Sequence, residues 1–223
     1  MSVFWRPRGC VLWFDFAELS GDTVYDLSGN NNHGTIYNCE WRRGHLVGSL
    51  YFNGTNAYVE VPDSPSLNIT GDEITLEAFV TIGANDVRVS ILSKYDYNAY
   101  RLFRQDDNRF VFGIDNGVTY VQVYSVSSTE VGKFYHVVGV YDGSEVKIFV
   151  NGEFENSESQ SGGIQDSSGY NLQIGRRDFP TTEWYFNGKI HFTRIYNRAL
   201  SEREIRAHAN YLLQKYIAHP PFI

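Results

Sequence analysis

Glu73-Ile74-Thr75-Leu76-Glu77-Ala78-Phe79-Val80 is the stretch that decides the fold. Ile74, Leu76, Ala78 and Val80 recur at every second position. A strand sends alternate side chains to opposite faces, so these four form the apolar face of a half-buried strand over Ile74–Ile82. Thr75 and Glu77 then read as polar residues on its outward face. Short β-rich runs of the same kind precede it at Val11–Phe16, Gly34–Tyr37, Ser49–Phe52 and Ala57–Val61. Others follow at Val89–Lys94, Tyr100–Arg104, Arg109–Ile114, Tyr120–Val126, Phe134–Tyr141, Glu145–Val150, Asn171–Gly175 and Gly188–Tyr196. Asn116-Gly117 and Asp142-Gly143 separate neighbouring runs, and Asn151-Gly152 follows Val150. Asn and Gly tolerate the positive φ that tight hairpins need. The pattern predicts an all-β, two-sheet antiparallel jelly-roll sandwich. The Ser- and Gly-rich loop Glu155–Gly169 is too short to separate domains, and no internal repeat is visible.

One helix is expected. Ser201-Glu202-Arg203-Glu204 is a capping box, in which Ser201 accepts from the backbone at Glu204 and Glu204 reaches back. Ile205, Ala209, Leu212, Leu213 and Tyr216 follow at helical spacing, and His219-Pro220-Pro221 ends the run. The domain is thus residues 1–200, with a C-terminal helix and tail, 201–223, packed on the sandwich as a lid.

Composition narrows the function. The chain has 223 residues, 42% of them hydrophobic and 20% charged, enough for a sizeable core. Lys and Arg number 19 against 26 Asp and Glu, a formal charge of −7, which argues against nucleic acid and against anionic membranes as partners. No apolar run approaches the roughly 20 residues that span a bilayer. The first ten residues are not a secretory signal, since Asp15 and Glu18 interrupt the apolar stretch after them. That leaves localisation open, with an extracellular, cell-surface or virion-associated setting favoured. Cys10 and Cys39 are too few for a disulfide framework, and two buried thiols or one bridge remain alternatives. Aromatic residues reach 16%, including 16 Tyr, whose polar tips suit half-exposed positions where rings meet a ligand.

Four constellations bear on chemistry. Glu73 and Glu77 are the remote case for a glycoside hydrolase. A retaining enzyme needs carboxyls about 5–5.5 Å apart, whereas four strand positions span about 13 Å. None of the six His lies in a nucleophile motif, and no phosphate-cradling loop is present. Tyr25-Asp26-Leu27-Ser28-Gly29-Asn30-Asn31-Asn32-His33-Gly34 offers oxygen donors of the kind calcium takes, with Asp26 and Asn30 the candidate ligands. The plain alternative is a turn held by Asx side chains. Finally, Lys94–Arg101 and Arg176–Tyr185 mix rings, amides and guanidinium groups, the combination that stacks on a sugar and bonds its hydroxyls. Tyr95, Tyr97, Arg101, Arg177 and Trp184 are the candidate ligand-binding residues, with no catalytic residue among them.

Several segments, in order, resemble the laminin-G-like or concanavalin A-like lectin/glucanase superfamily, closest to the jelly-roll branch attached to bacterial, archaeal and viral surface proteins. They include Asp26-Leu27-Ser28-Gly29-Asn30 with His33-Gly34, Leu50-Tyr51-Phe52-Asn53-Gly54, Tyr58-Val59-Glu60-Val61-Pro62 and Ile74–Phe79. Ile91–Lys94, Lys133–Gly143, Val146–Gly152, Phe186–Ile190 and Arg194–Ser201 complete the series, which covers about residues 9–206. The resemblance implies curved antiparallel sheets with a shallow concave face, binding of glycans or proteins, and in many members a structural calcium. Related glycosidases use an acid-x-Asp-x-acid strand, which Thr75 interrupts. Members commonly carry Ile-Asp-Glu where this chain has Ile190-His191-Phe192, and a neutral imidazole is a poor partner for a hard cation. The expectation is a non-catalytic, lectin-like carbohydrate-binding module. The alternative is a virion or cell-surface structural or adhesion protein that docks another protein, and a stable oligomer would favour it. Asn53-Gly54-Thr55 and Asn68-Ile69-Thr70 match glycosylation acceptors.

Overall fold

The computed structural model describes residues 6–43, 48–85, 87–94, 99–177 and 184–217. In chain order the strands are β1 (Cys10–Phe14), β2 (Thr23–Val24), β3 (Gly34–Tyr37), β4 (Glu40–Arg43), β5 (Gly48–Asn53) and β6 (Tyr58–Val61). Next come β7 (Ile74–Ile82), β8 (Val89–Lys94), β9 (Tyr100–Arg104), β10 (Arg109–Asp115), β11 (Tyr120–Ser128) and β12 (Phe134–Tyr141). The series closes with β13 (Glu145–Val150), β14 (Glu153–Ser159), β15 (Leu172–Ile174), β16 (Arg176–Arg177), β17 (Trp184–Tyr185), β18 (Asn187–Tyr196) and the helix α1 (Glu202–Ile217).

Two eight-stranded sheets face each other. Sheet A runs β14-β13-β12-β7-β18-β5-β4, with β1 also paired to β18, and sheet B runs β11-β10-β9-β8-β15-β6-β3-β2. Pairings such as Val138 with Glu77 and Arg194 with Glu77 are antiparallel and put β7 at the centre of sheet A. The inward rows of both sheets make the main core, including Leu76, Ala78 and Val80 of β7 and Leu102, Phe110 and Phe112 of β9 and β10. The sheets pack tightly at Gly139, where an added Cβ would stand 2.2 Å from Phe112.

The inward face of β7 is as expected, but its outward face is not a solvated one. Thr75, Glu77 and Phe79 are 0% exposed. The reason is α1, which lies on the outer face of sheet A. Ile205 packs with Val138, Val140, Phe149 and Tyr196. Leu212 packs with Phe79 and Phe192. The capping box forms: Ser201 Oγ accepts from Glu204 N at 3.3 Å, and Glu204 Oε2 accepts from Ser201 N at 2.9 Å.

Five strands lie outside the expected set: β2, β4 and β14, which each close a sheet edge, and β16 and β17, which pair with each other as a separate two-stranded sheet. β2 has only two residues, and the mostly polar sequences of β4, Glu-Trp-Arg-Arg, and β14 lack the alternation that marks a half-buried strand, as protected edges do. Both cysteines are free, and burial pushes each thiol up to about 12.

Candidate functional site

The outer face of sheet B carries the sequence candidates. Cross-strand partners point to the same side, so the pairings Gln122–Gly113–Arg101–Ser93–Gln173–Glu60–Thr35 form one polar row across the sheet. Gly113 is required there, because an added Cβ would stand 2.1 Å from the Tyr120 hydroxyl, which lies over it and accepts from Arg101 Nε. Gln173 Nε2 donates to Glu60 Oε2 at 2.9 Å and fixes that carboxylate.

Beside this row the β16–β17 hairpin folds back onto the sheet. Trp184 packs on Phe103 and Val111, with Tyr124 at the margin. Arg101, Arg177 and Trp184, three of the five candidates, do converge. The guanidinium carbons of Arg177, Arg88 and Arg101 lie 3.9, 4.7 and 5.6 Å from the Trp184 ring centroid. They form a closed stack, however: Trp184 is 9% exposed, Arg177 4% and Arg101 3%. The expected open platform at Trp184 is therefore occupied by the protein's own cations, which satisfy the indole by cation–π contact. Tyr95 and Tyr97 lie outside the described residues.

The open rings sit next to that stack. Tyr37 and Tyr58, opposite each other on β3 and β6, stack at 4.6 Å with planes 15° apart. Arg176 covers Tyr58 at 4.5 Å, and Tyr185 lies 6.5 Å from Tyr58. Tyr37 ends the array at 38% exposure. Burial raises the Tyr58 hydroxyl above its ordinary range against the lowering pull of Arg176. Sequence reasoning passed over Tyr37 and Tyr58 as strand residues. The signal was the alternation Tyr58-Val59-Glu60-Val61, whose apolar members face the core and whose polar members share the outer face.

The metal candidates do not fit a calcium ion. Asp26 Oδ1 accepts from Trp13 N and Ser28 N, both at 2.9 Å, and Oδ2 accepts from Ser28 Oγ and Asn32 N at 2.7 and 3.0 Å. Asn30 turns its NH₂ inward, towards Ser28 Oγ and the Val11 carbonyl. The loop is held by its Asx side chains, and both oxygens of Asp26 are already engaged by protein donors. Among the described residues no group of three or more His, Cys, Asp or Glu is placed to hold a metal. His191 is far from an acidic ligand in character. Its ring lies 5.5 Å from Phe79 and 5.2 Å from Phe134, and Nε2 meets Thr81 Oγ1 at 2.8 Å.

Glu77, one of the remote hydrolase pair, is sealed beneath α1. Its Oε1 meets His136 Nε2 at 2.8 Å and His208 Nδ1 at 3.0 Å, while Oε2 meets Tyr196 Oη at 3.3 Å and Arg194 Nη1 at 3.5 Å. Burial pushes Glu77 up, but Arg194 and the two imidazoles outweigh it and hold the carboxyl well below its usual range. A general acid needs the opposite shift. Glu73, by contrast, is exposed and accepts from Ala199 N. The two carboxylates have structural partners and do not face a common groove.

A family model described as "Concanavalin A-like lectin/glucanases superfamily" matches residues 53–206. No curated protein matches the chain in sequence. Among solved structures, the binding domain of Paraclostridial Mosquitocidal Protein 1 superposes with a TM-score of 0.72 at 14% identity, over 92% of this chain and 52% of that one. The binding domain of Botulinum neurotoxin DC, in complex with rat synaptotagmin II, gives 0.72 at 15% identity, over 92% and 52%. The chain thus spans about half the length of these two. Domain 4 of AbnA, a GH43 extracellular arabinanase from Geobacillus stearothermophilus in complex with arabinotriose, gives 0.73 at 15% identity, over 90% and 98%.

Proposed function

The chain belongs to the concanavalin A-like lectin/glucanases superfamily, and we propose that within it this protein is a non-catalytic carbohydrate-binding module. The observation that carries the reading is the Tyr37–Tyr58–Arg176 stack on an exposed sheet face, with Glu60 held beside it by Gln173. A pyranose lays its apolar face on the outer side of Tyr37, and its hydroxyls donate to Glu60 and accept from the Arg176 guanidinium. The arabinotriose on AbnA domain 4, whose length this chain matches almost fully, supports sugar as the ligand class. The closed stack at Trp184 serves as the rigid wall against which that array is set.

The test is titration of soluble oligosaccharides against the folded protein. Tyr37→Ala removes a stacking surface worth about 0.5–1.5 kcal/mol and lowers affinity roughly two- to ten-fold. Affinity unchanged in both Tyr37→Ala and Tyr58→Ala rejects this face as the site. A second reading is a docking surface for another protein, favoured by the same Tyr and Arg content, since these residues are enriched at interfaces. The synaptotagmin complex of the neurotoxin domain supports it. A stable complex with a surface protein that Tyr37→Ala abolishes, without any sugar affinity, selects that reading.

A further inference from the structure

Away from this face, at the loop end of the sandwich beside the Asp26 turn, lies a cleft of about 440 Å³ bordered by Asn30, Asn68, Thr70, Asp72, Glu73 and Asn197. We infer that this cleft is a second binding site, for a neutral, hydroxyl-rich ligand of one or two sugar units. The volume falls in the range of small-molecule sites, roughly 300–1,000 Å³. Its polar border is made of amides, a hydroxyl and carboxylates, the groups that exchange hydrogen bonds with vicinal hydroxyls. Among the described residues no Lys or Arg lines it, and Asp72 and Glu73 repel a uronic or sialic carboxylate.

The walls are preorganised. Asn32, 4% exposed, donates to the Val11 carbonyl at 2.7 Å and to Ser66 Oγ at 2.9 Å, and accepts from Ser64 Oγ at 2.6 Å. The Tyr100 hydroxyl donates to the Leu67 carbonyl at 2.8 Å, and Ile164 N donates to the Gly71 carbonyl at 2.9 Å. Glu73 is set by the Ala199 N–H at 3.2 Å, and Asn197 by the Gly9 carbonyl at 2.9 Å. A ligand entering this cleft need not order its loops, which lowers the cost of a weak interaction. The Asx-rich turn around Asp26 thereby gains a role: it supplies Asn30 to one wall of the cleft, while Asn32 braces the lining residues Val11 and Ser66 from behind.

The site is separate from the Tyr37–Tyr58 array, so its test reads independently. Side-chain amide signals of ¹⁵N-labelled protein are followed while arabinotriose, galactose and glucuronate are added in turn. A neutral probe is expected to move the Asn30, Asn68 and Asn197 amides saturably, with glucuronate at least ten-fold weaker. Asp72→Ala lowers the affinity at least five-fold. Gly71→Phe fills the cleft and abolishes the shifts, at a position where an added Cβ meets nothing within 4 Å. Tyr37→Ala leaves them in place, even if the sheet face proves inactive. The inference is overturned if no neutral probe moves these amides, if Gly71→Phe leaves the shifts intact, or if glucuronate binds equally. Equivalent shifts from calcium chloride alone likewise overturn it, in favour of a cation site.

Discussion

Glu77 shows how one residue ties two elements together. Its carboxylate, 0% exposed, joins β7, β12 and β18 to α1 through Arg194, His136 and His208. Removing the charge leaves Arg194 buried against Trp13 and Phe192 without its counter-ion. Glu77→Gln is expected to cost on the order of 3 kcal/mol, read as a lower urea midpoint at neutral pH. His191 makes a different contribution. Desolvation first, then Lys189, lowers it from 6.5 to about 3. Thr81, Phe79 and Phe134 pack around the ring and keep it from water, which disfavours the cation. The unfolded chain takes up a proton between those two values that the folded ring refuses, so this stability is full above about 6.5 and is lost as pH falls. The slope it supplies reaches about 1.4 kcal/mol per pH unit. Thermal melts of His191→Gln from pH 7 to 4 should be flatter than those of the parent; equal slopes would assign the acid sensitivity elsewhere.

At the scale of elements, α1 is both capped and docked. Ser201→Ala removes the acceptor for Glu204 N and costs about 1 kcal/mol, measurable in the denaturation midpoint. Glu204 lies at about 2, because the Arg198 guanidinium holds it as a carboxylate. This cap therefore keeps its full strength above the ordinary Glu value and weakens as pH falls towards 2. The sheets set a tighter limit at Gly139. Gly139→Val drives its side chain into Phe112, and overpacking there is expected to cost at least 1–3 kcal/mol, roughly. A Gly139→Val protein as stable as the parent would mean that the two sheets separate more readily than their packing indicates. The hairpin β16–β17 is the element that reshaped the binding face. It carries Arg177 and Trp184 onto Phe103 and Val111, closing the surface that the same residues were expected to open.

For the molecule as a whole, the Asp26 turn predicts stability without calcium. Its carboxylate is engaged by four protein donors, so chelator should leave the melting temperature unchanged. Asp26→Ala, by contrast, strands buried N–H groups at about 1–3 kcal/mol each. A melting temperature that falls in EDTA and recovers with calcium would refute this. Period-two patterning, turn dipeptides and the capping box already specified a jelly-roll sandwich with a C-terminal helix, because those signals are local and each residue's neighbours in sequence fix them. Of the segments that hold the site only Arg176–Tyr185 was legible, as a place where rings and guanidinium groups gather; Tyr37 and Tyr58 read as ordinary strand residues. Which rings stay open was decided only by packing. Tyr37 and Tyr58 meet because β3 pairs with β6, and Trp184 closes because a hairpin folds back over β9 and β10. The burial of Glu77 likewise depends on a helix more than a hundred residues away in the chain, a contact that alternation along one strand cannot encode.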